Sequence, residues 1–249
     1  MLTWSPNSKR CSTDSFFLLV LTCLLTSVAP KASASINKNI RGQILTEIHG
    51  NASPSFEKLL SAWERRYGTG AVPALIDVAR DHRATDPDRY VALMGVAKIG
   101  GRNSAPLLSP LLRDPSWMIR DGALRALAAL DCRDSGAQIL PLLKDPALVV
   151  RLEAIQSVEK LKPDGVAKAL LAVVADSQNY HHGKAQWVPE RALDALLHLR
   201  TLRAISDSES HAVALRLSAL LENRRSPALD DPALKEQIAQ TVRALTAAD

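Results

Sequence analysis

Aromatic residues are scarce in this sequence, at 4% of 249 residues, and only three cysteines are present. So few cysteines exclude the class of small secreted domains that are framed by disulfides. Familiar catalytic motifs are missing as well: the sequence has no Gly-x-Ser-x-Gly elbow, no glycine-rich phosphate loop and no His-Glu-x-x-His zinc motif. Alanine and leucine, both strong helix formers, are abundant instead. The composition therefore predicts a folded, helix-rich protein.

The first 34 residues are organised like a secretory signal peptide. Lys9 and Arg10 precede the 13-residue apolar run 16–28, and Ala32-Ser33-Ala34 then supplies a cleavage pattern. The run is shorter than the roughly 20 residues that a membrane-spanning helix needs. We therefore favour cleavage near Ala34 over retention as an anchor, although both stay open. The prediction is an exported, periplasmic or secreted protein that meets the membrane only transiently, through its signal peptide.

Charge and histidine spacing exclude several kinds of partner. Residues 1–34 hold three basic residues and one acidic residue, so their removal lowers the net charge from +5 to +3. A charge this small does not indicate a polyanion, and no nucleic acid is expected as a partner. His181 and His182 are adjacent, but the remaining histidines show no spacing typical of a ligand set. We therefore predict no metal and no cofactor.

A unit of roughly 30 residues recurs along the chain. Residues 112–120 and 143–151 align at an offset of 31, and Asp-Pro pairs also begin at Asp86 and Asp231. Asp followed by Pro predicts a helix start, with Asp as the N-cap and Pro at the first helical position. Apolar residues then recur at helical spacing, and another apolar helix follows each turn. A period of this length is typical of solenoid proteins.

Each unit is predicted as two short antiparallel helices, which can bury their apolar faces only by stacking on neighbouring units. The predicted fold is all-α, a right-handed α-solenoid of about five antiparallel helix pairs over 55–249. Within it we expect a capping helix at 55–67, repeats over about 71–200 and a divergent C-terminal repeat over 205–249. Residues 35–54 are predicted to form a flexible polar leader.

These residues resemble the HEAT repeat, in the subtype named after phycobilin lyases, most clearly over 102–161. The shared pattern is Leu-Leu in the first helix, then Asp-Pro, a hydrophobic-Arg pair, and Ala and Leu at helical spacing. The resemblance implies that the second helices line a concave side. It also implies a structural ladder along the turns, in which Asp114 pairs with Arg120 and Asp145 with Arg151.

Two departures interrupt this pattern. At Asp86 the arginine position is occupied by Ala92, and after Asp176 about seven residues are inserted within 177–187. Insertions in solenoids emerge on one face, often the binding face, and Tyr and Trp are favoured contact residues. The insertion is therefore either a recognition loop or a tolerated surface insertion whose aromatic residues pack on the flanking helix. Its partner-binding candidates are Tyr180, His181, His182 and Trp187.

The leading interpretation is a non-catalytic scaffold or adaptor of the cell envelope that binds a protein partner. No histidine is followed by glutamate, as it would be in a HEAT-class di-iron hydroxylase, and no catalytic residue is predicted. The alternative is a lyase-like or other modifying enzyme of the HEAT superfamily, which would need a deep pocket with convergent polar groups. A purely structural role through self-association is a third possibility. Further partner-binding candidates on the concave side are Trp117, Arg120, Asp121, Arg125, Arg151 and Glu190.

Overall fold

A computed structural model describes residues 37–50, 55–223 and 226–247. Within these residues the chain is helical almost throughout, and its only strands form one short two-stranded hairpin. Five antiparallel helix pairs follow two N-terminal helices in the described chain. The prediction of an all-α solenoid is therefore confirmed. The predicted signal peptide, 1–34, lies outside the described residues.

Helix α1 covers 37–49, and α2 is Phe56–Tyr67. Each following pair consists of a first helix and a second helix. The first helices are α3 Val72–Arg80, α5 Ala105–Leu108, α7 Gly136–Ile139, α9 Val166–Ala175 and α11 Asp207–Glu222. The second helices are α4 Asp86–Gly100, α6 Trp117–Ala129, α8 Leu148–Leu161, α10 Val188–Thr201 and α12 Pro232–Thr246.

The second helices form a layer in which each packs on the next, from α4 through α6, α8 and α10 to α12. The predicted apolar positions face this packing: Ala123 and Leu127 of α6, and Ala154 and Val158 of α8, are fully buried. Buried residues from all the pairs belong to a single continuous core. The core is thus shared between neighbours, as the physics of a short helix pair requires.

Proline interrupts two of the first helices. A 3₁₀ segment follows α5 at Ser109–Arg113 and α7 at Leu140–Lys144. Pro110 and Pro141 lie at the second position of these segments and have no backbone N–H to continue an α-helical ladder. Helix α9, which has no proline, runs uninterrupted. In these two pairs the second helix is therefore the longer and more regular one.

Residues 37–49, which the sequence predicts as part of a flexible leader over 35–54, form helix α1 instead. The overlooked signal is the recurrence of isoleucine every four residues, at Ile40, Ile44 and Ile48, which is the spacing of one helix face. Ile44 is fully buried, and the other two pack against the same core. The polar residues between them concealed this apolar face.

Hydrogen bonds add to the attachment of α1. Trp63 of α2 is fully buried, and its Nε1 donates to Glu47 Oε2 of α1 at 2.8 Å. His49 Nε2 of α1 lies 3.0 Å from Asp88 Oδ2 of α4. The capping helix predicted over 55–67 is present as α2. It does not stand alone at this end, because α1 packs against it.

Candidate functional site

The connections from first to second helices lie along one edge of the stack, the turn edge. It comprises residues 81–85, 114–116, 145–147 and 176–187, together with the α11–α12 connection. Because the second helices pack side by side and run in the same direction, their N-termini line up along this edge. The edge contains the Asp-Pro turns and the insertion that the sequence singled out.

Two of these turns have the same conformation. Asp114 Oδ1 accepts the N–H of Ser116, and Asp145 Oδ1 accepts the N–H of Ala147, both at 2.9 Å. The helices begin only at the next residues, Trp117 and Leu148. The predicted N-cap role is therefore wrong for these two copies, because the carboxylate forms an Asx turn before the helix starts.

The predicted N-cap role is correct at the last Asp-Pro pair. Asp231 is the N-cap of α12, with Pro232 at the first helical position. Its Oδ1 accepts the N–H groups of Ala233 and Leu234 at 3.1 and 3.2 Å. At Asp86 the pair lies inside α4, whose N-cap is Thr85, so the predicted N-cap role is wrong there too. The role of the dipeptide thus depends on where the helix begins relative to its aspartate.

Arginines of the second helices bind these turns, and Arg120 also joins one turn to the next. Arg120 donates from Nε and Nη2 to the two carboxylate oxygens of Asp145, both at 2.7 Å, and from Nη1 to the backbone oxygen of Asp114 at 2.9 Å. Arg151 donates to the backbone oxygen of Asp145 in the same way, at 2.9 Å. The ladder implied by the family resemblance is therefore corrected: the arginine binds the backbone of its own turn and the carboxylate of the following repeat.

The ladder also starts one repeat earlier than the sequence predicts. Ala92 occupies the arginine position of α4, but Arg89, one turn earlier, takes over the role. Arg89 forms a buried ion pair with Asp114, and its Nε donates to the backbone oxygen of Ala79 at 3.0 Å. It also bonds Asp86 at 3.2 Å. A cation displaced by three residues can replace the missing one because both positions lie on the same helix face.

The ladder stops at the insertion. The buried Nε of Arg151 has no hydrogen-bond partner within the described residues, and burial lowers the pKa of its guanidinium. Asp176, at the next ladder position, uses Oδ1 to accept the N–H of Gln178 at 3.1 Å. Asp176 thus forms the same turn as Asp114 and Asp145, but no ion pair within the described residues joins it to Arg151.

The insertion folds as a β-hairpin. Tyr180–His181 pairs antiparallel with Lys184–Ala185. The two loop residues, His182 and Gly183, have φ of 48° and 73°. Positive φ at both positions is the geometry of a type I′ turn, which matches the twist of a two-residue hairpin. The seven extra residues thus form an ordered element.

Three hydrogen bonds hold this hairpin to the stack. Tyr180 Oη donates to the backbone oxygen of Val174 at 2.6 Å, and buried Asn179 donates from Nδ2 into the end of α9 at 2.9 Å. The N–H of Ala185 donates to Asp231 Oδ2 at 3.0 Å. This bond lowers the pKa of Asp231, and burial raises the pKa of Tyr180. Tyr180 therefore packs on the flanking helix, as the second interpretation of the insertion expects.

Trp187 behaves differently from Tyr180. It lies directly before α10 with φ of 60°, and it is 68% exposed. Trp117, the first residue of α6, is 47% exposed, and Val149, the second residue of α8, is 45% exposed. We call these three side chains the apolar row, because they occupy the starts of three successive second helices. His181 and His182 are exposed beside it, with ring centroids 4.1 Å apart.

Several candidates predicted for the concave side are not available to a partner. Asp121 and Arg151 are only 6% and 4% exposed, and Arg120 is held in the ladder. Arg125 is partly exposed and bonds both Asp121 and Glu153, at 2.8 and 2.7 Å. Burial raises the pKa of Glu153. Burial therefore removes Asp121 and Arg151 from the accessible surface, which their positions in one repeat do not reveal, whereas Arg125 stays a candidate.

Glu190 is half-buried in the first turn of α10. Its backbone oxygen accepts a 3.4 Å bond from Gln237 Nε2 of α12. Val149 was not identified from the sequence at all. Its position four residues after Asp145 was the available signal, since Trp187 follows at the matching position once the insertion is counted.

In the part of the chain that the structure describes, no group of three or more histidine, cysteine, aspartate or glutamate residues is placed to hold a metal ion. None of the described helices combines the length and apolar character required to cross a membrane. His181 and His182 thus contact each other without a third potential ligand nearby in the described residues.

Sequence comparison identifies the repeated unit. The family model of HEAT repeats matches residues 105–188, which include α5 to α9 and the hairpin. This segment, about a third of the chain, is similar to HEAT repeats. The turns at Asp114 and Asp145 and two members of the apolar row lie inside the matched segment, and Trp187 lies at its end. Arg89, where the ladder begins, and the Asp-Pro pair at Asp231 lie outside it. No curated protein matches this chain in sequence.

Two solved structures are similar to parts of this chain. An engineered protein is 16% identical with a TM-score of 0.43, over 86% of this chain and 91% of that one. The complex of CpcE and CpcF of phycocyanin lyase from Nostoc sp. PCC7120 is 17% identical with a TM-score of 0.29, over 82% of this chain and 94% of that one. Both scores are low, so the fold assignment stands on the helices described above.

Proposed function

We propose that this HEAT-repeat protein is a non-catalytic scaffold that binds a protein partner at its turn edge, outside the cytoplasm. The observation that carries the proposal is Trp187, a large side chain that is 68% exposed. Tryptophan is among the residues most enriched at the energetic centres of protein interfaces. Leaving it in water gives up the stabilisation that burial would provide, which supports a use at the surface.

The attachment of the hairpin supports the same role. Trp187 follows a β-hairpin that is bonded to α9 and, through Ala185, to Asp231 at 3.0 Å. Ordering a loop on binding costs free energy, and a pre-ordered contact residue avoids that cost. The hairpin thus has the rigidity that a presented anchor needs.

The pairing of charged residues supports a binding role over a catalytic one. Arg125 connects Asp121 and Glu153 across two second helices, and Glu159 lies 3.8 Å from Arg191 of the next. These ionisable groups contact one another between repeats, which stabilises the stack. We propose that they are structural and that recognition occurs at the exposed side chains of the edge.

The location outside the cytoplasm rests on the sequence of residues 1–34. Its test is N-terminal sequencing of the protein recovered from the envelope and medium of cells that express the full chain. The proposal expects a mature chain beginning at Ser35. A full-length chain recovered from the cytoplasm would contradict it.

Photo-cross-linking tests the binding role at the turn edge. A photoreactive phenylalanine analogue replaces Trp187 in one variant, and Leu202 or Leu215 in two matched controls. These controls are also exposed apolar positions, at 46% and 59%. The proposal expects a discrete adduct of higher mass only from position 187, identified by mass spectrometry.

Two results would contradict this proposal. One is the absence of any adduct at position 187 in cells that express the protein at its natural level. The other is an equal yield of adducts from positions 187, 202 and 215, which would indicate non-specific contact by exposed apolar residues.

A further inference from the structure

We infer that the turn edge binds an extended acidic peptide segment whose apolar side chains contact the apolar row. This inference rests on the proposed function and specifies the chemistry of the partner. It follows from the spacing of Trp117, Val149 and Trp187 and from the charge of the turns around them.

The spacing of the row suits an extended chain. The three residues stand at the starts of α6, α8 and α10, which pack against each other in that order. Packed helices lie roughly 8–10 Å apart, so the row spans about 16–20 Å. A chain extended in the polyproline II conformation rises about 3.1 Å per residue with three residues per turn, so every third side chain lies on one face, about 9 Å from the next. A short extended segment can thus place one apolar side chain against each member.

The charges of the α6 and α8 turns favour an acidic segment. Arg113 and Lys144 precede these turns, are exposed, and form no ion pair within the described residues. The carboxylates of the same turns, Asp114 and Asp145, are buried and already paired with arginines of the preceding repeats.

Asp86 is also half-exposed at the α6 turn, where it accepts from Ser116 Oγ at 2.6 Å and pairs with Arg89 at 3.2 Å. The exposed charges that lack an ion-pair partner at these two turns, within the described residues, are therefore the cations Arg113 and Lys144. The positive N-terminal ends of α6 and α8 add to their charge.

The hairpin end of the row has a different charge. Asp231 holds the hairpin, and Asp230 lies against it, with its Cβ 3.1 Å from the position that a Cβ on Gly183 would occupy. Asp176 lies in the same turn. An acidic side chain of the ligand would be repelled here. The bound segment should therefore place its acidic residues beside Arg113 and Lys144, and an apolar residue on Trp187.

The test uses two displayed libraries of 12-residue peptides. In one, Asp and Glu occupy half of the positions and Leu, Ile and Phe the rest; in the other, Lys and Arg replace the acids. The inference expects enrichment of the acidic library on the full chain. A selected peptide, labelled with fluorescein, should then bind more weakly as the salt concentration rises.

Variants locate the binding. We expect Trp117→Ala combined with Trp187→Ala to weaken peptide binding at least about tenfold, as for contact residues at the centre of an interface. Arg113→Glu combined with Lys144→Glu should weaken it to a similar degree. The matched control, Leu202→Ser with Leu215→Ser, removes two exposed apolar residues elsewhere and should leave the affinity unchanged. Circular dichroism checks that every variant remains helical.

Three results would overturn the inference: enrichment of neither library, equal or greater enrichment of the basic one, or unchanged affinity of the two edge variants. Mapping the cross-link from position 187 separates this failure from failure of the proposed function. An adduct on a non-acidic segment overturns the peptide chemistry and leaves the scaffold role intact. The absence of an adduct overturns both.

Discussion

The turns before α8 and before α10 occupy equivalent places in two neighbouring repeats, yet they differ in what holds them. In the first, Arg120 reaches Asp145 with two bonds of 2.7 Å and closes the contact between repeats. In the second, Arg151 has an unpartnered Nε, and a hairpin bonded to Asp231 occupies the edge. The comparison shows that the same turn of a repeat can either pair with the neighbouring repeat or carry an inserted element at the surface.

Two tryptophans show the same contrast. Trp63 is fully buried and donates to Glu47, whereas Trp187 is 68% exposed. If this division between stack and surface is correct, the two substitutions should differ widely. Trp63→Ala should lower the free energy of unfolding by about 3–5 kcal/mol through loss of burial and a cavity. Trp187→Ala should change it by no more than about 0.5 kcal/mol. Urea unfolding followed by circular dichroism measures both free energies. Similar losses for the two variants would contradict the division between a buried and an exposed tryptophan.

The ladder turn provides the next largest effect. Asp145→Ala removes the carboxylate that Arg120 binds and leaves a guanidinium that is largely buried without its partner. Removing one member of a buried ion pair costs about 3 kcal/mol or more. The control is Asp164→Ala, an exposed carboxylate in the turn before α9. We expect the urea midpoint to fall for Asp145→Ala and to remain unchanged for the control. A negligible loss of stability in Asp145→Ala would show that the ladder does not stabilise the stack.

Close packing of two second helices gives an intermediate effect. A Cβ added to Gly122 of α6 would lie 2.8 Å from Cε2 of Tyr90 on α4. Gly122→Ala should therefore force the helices apart and cost about 1–3 kcal/mol. Gly70→Ala is the matched control, because nothing lies within 4 Å of its added Cβ. Thermal unfolding should separate the two variants, and equal melting temperatures would show that the α4–α6 contact is loose.

The smallest effect concerns the anchor of the hairpin, and it depends on pH. Asp231→Ala removes an N-cap and the acceptor of the Ala185 N–H, at a cost of about 1 kcal/mol near neutral pH. The folded protein lowers the pKa of Asp231, chiefly through the Ala185 bond. Its stabilisation is therefore complete above the unfolded value of 3.8 and is lost as pH falls through the lower folded value.

The stability difference between Asp231→Ala and the unchanged protein should consequently shrink below pH 3.8. Urea midpoints of the two proteins across the range from neutral to strongly acidic pH provide the measurement. A difference that stayed constant across this range would show that the charge of Asp231 does not hold the hairpin.

The sequence predicted the solenoid because its signal is repeated: Asp-Pro turns and buried positions such as Ala123 and Ala154 recur at one offset. It could not predict which carboxylate Arg120 binds, since that depends on the neighbouring repeat. For the same reason, the sequence could not predict that Arg89 takes the role of the arginine that is missing at position 92. Sequence position alone also could not distinguish buried Asp121 from an exposed charge, because the difference lies in the packing of α6 on its neighbours.

The hairpin escaped prediction for a different reason. Its strands, Tyr180–His181 and Lys184–Ala185, are only two residues long, too short to show an alternating pattern. Its turn uses His182 before Gly183 in place of the Asn or Asp usual at that position. The exposure of Trp187 follows from this local structure. The sequence therefore named Trp117 and Trp187 as candidates, but not Val149 or the edge that the three residues share.

Amide hydrogen exchange at the hairpin tests the central claim most directly, because that claim is a rigid hairpin presenting Trp187 at the turn edge. The N–H groups of Ala185 and Gln186 donate to Asp231 and to the backbone oxygen of Asn179 at 3.0 and 2.9 Å. The account predicts that both amides exchange at least about a hundredfold more slowly than an unstructured peptide. Exchange at the unstructured rate would contradict it.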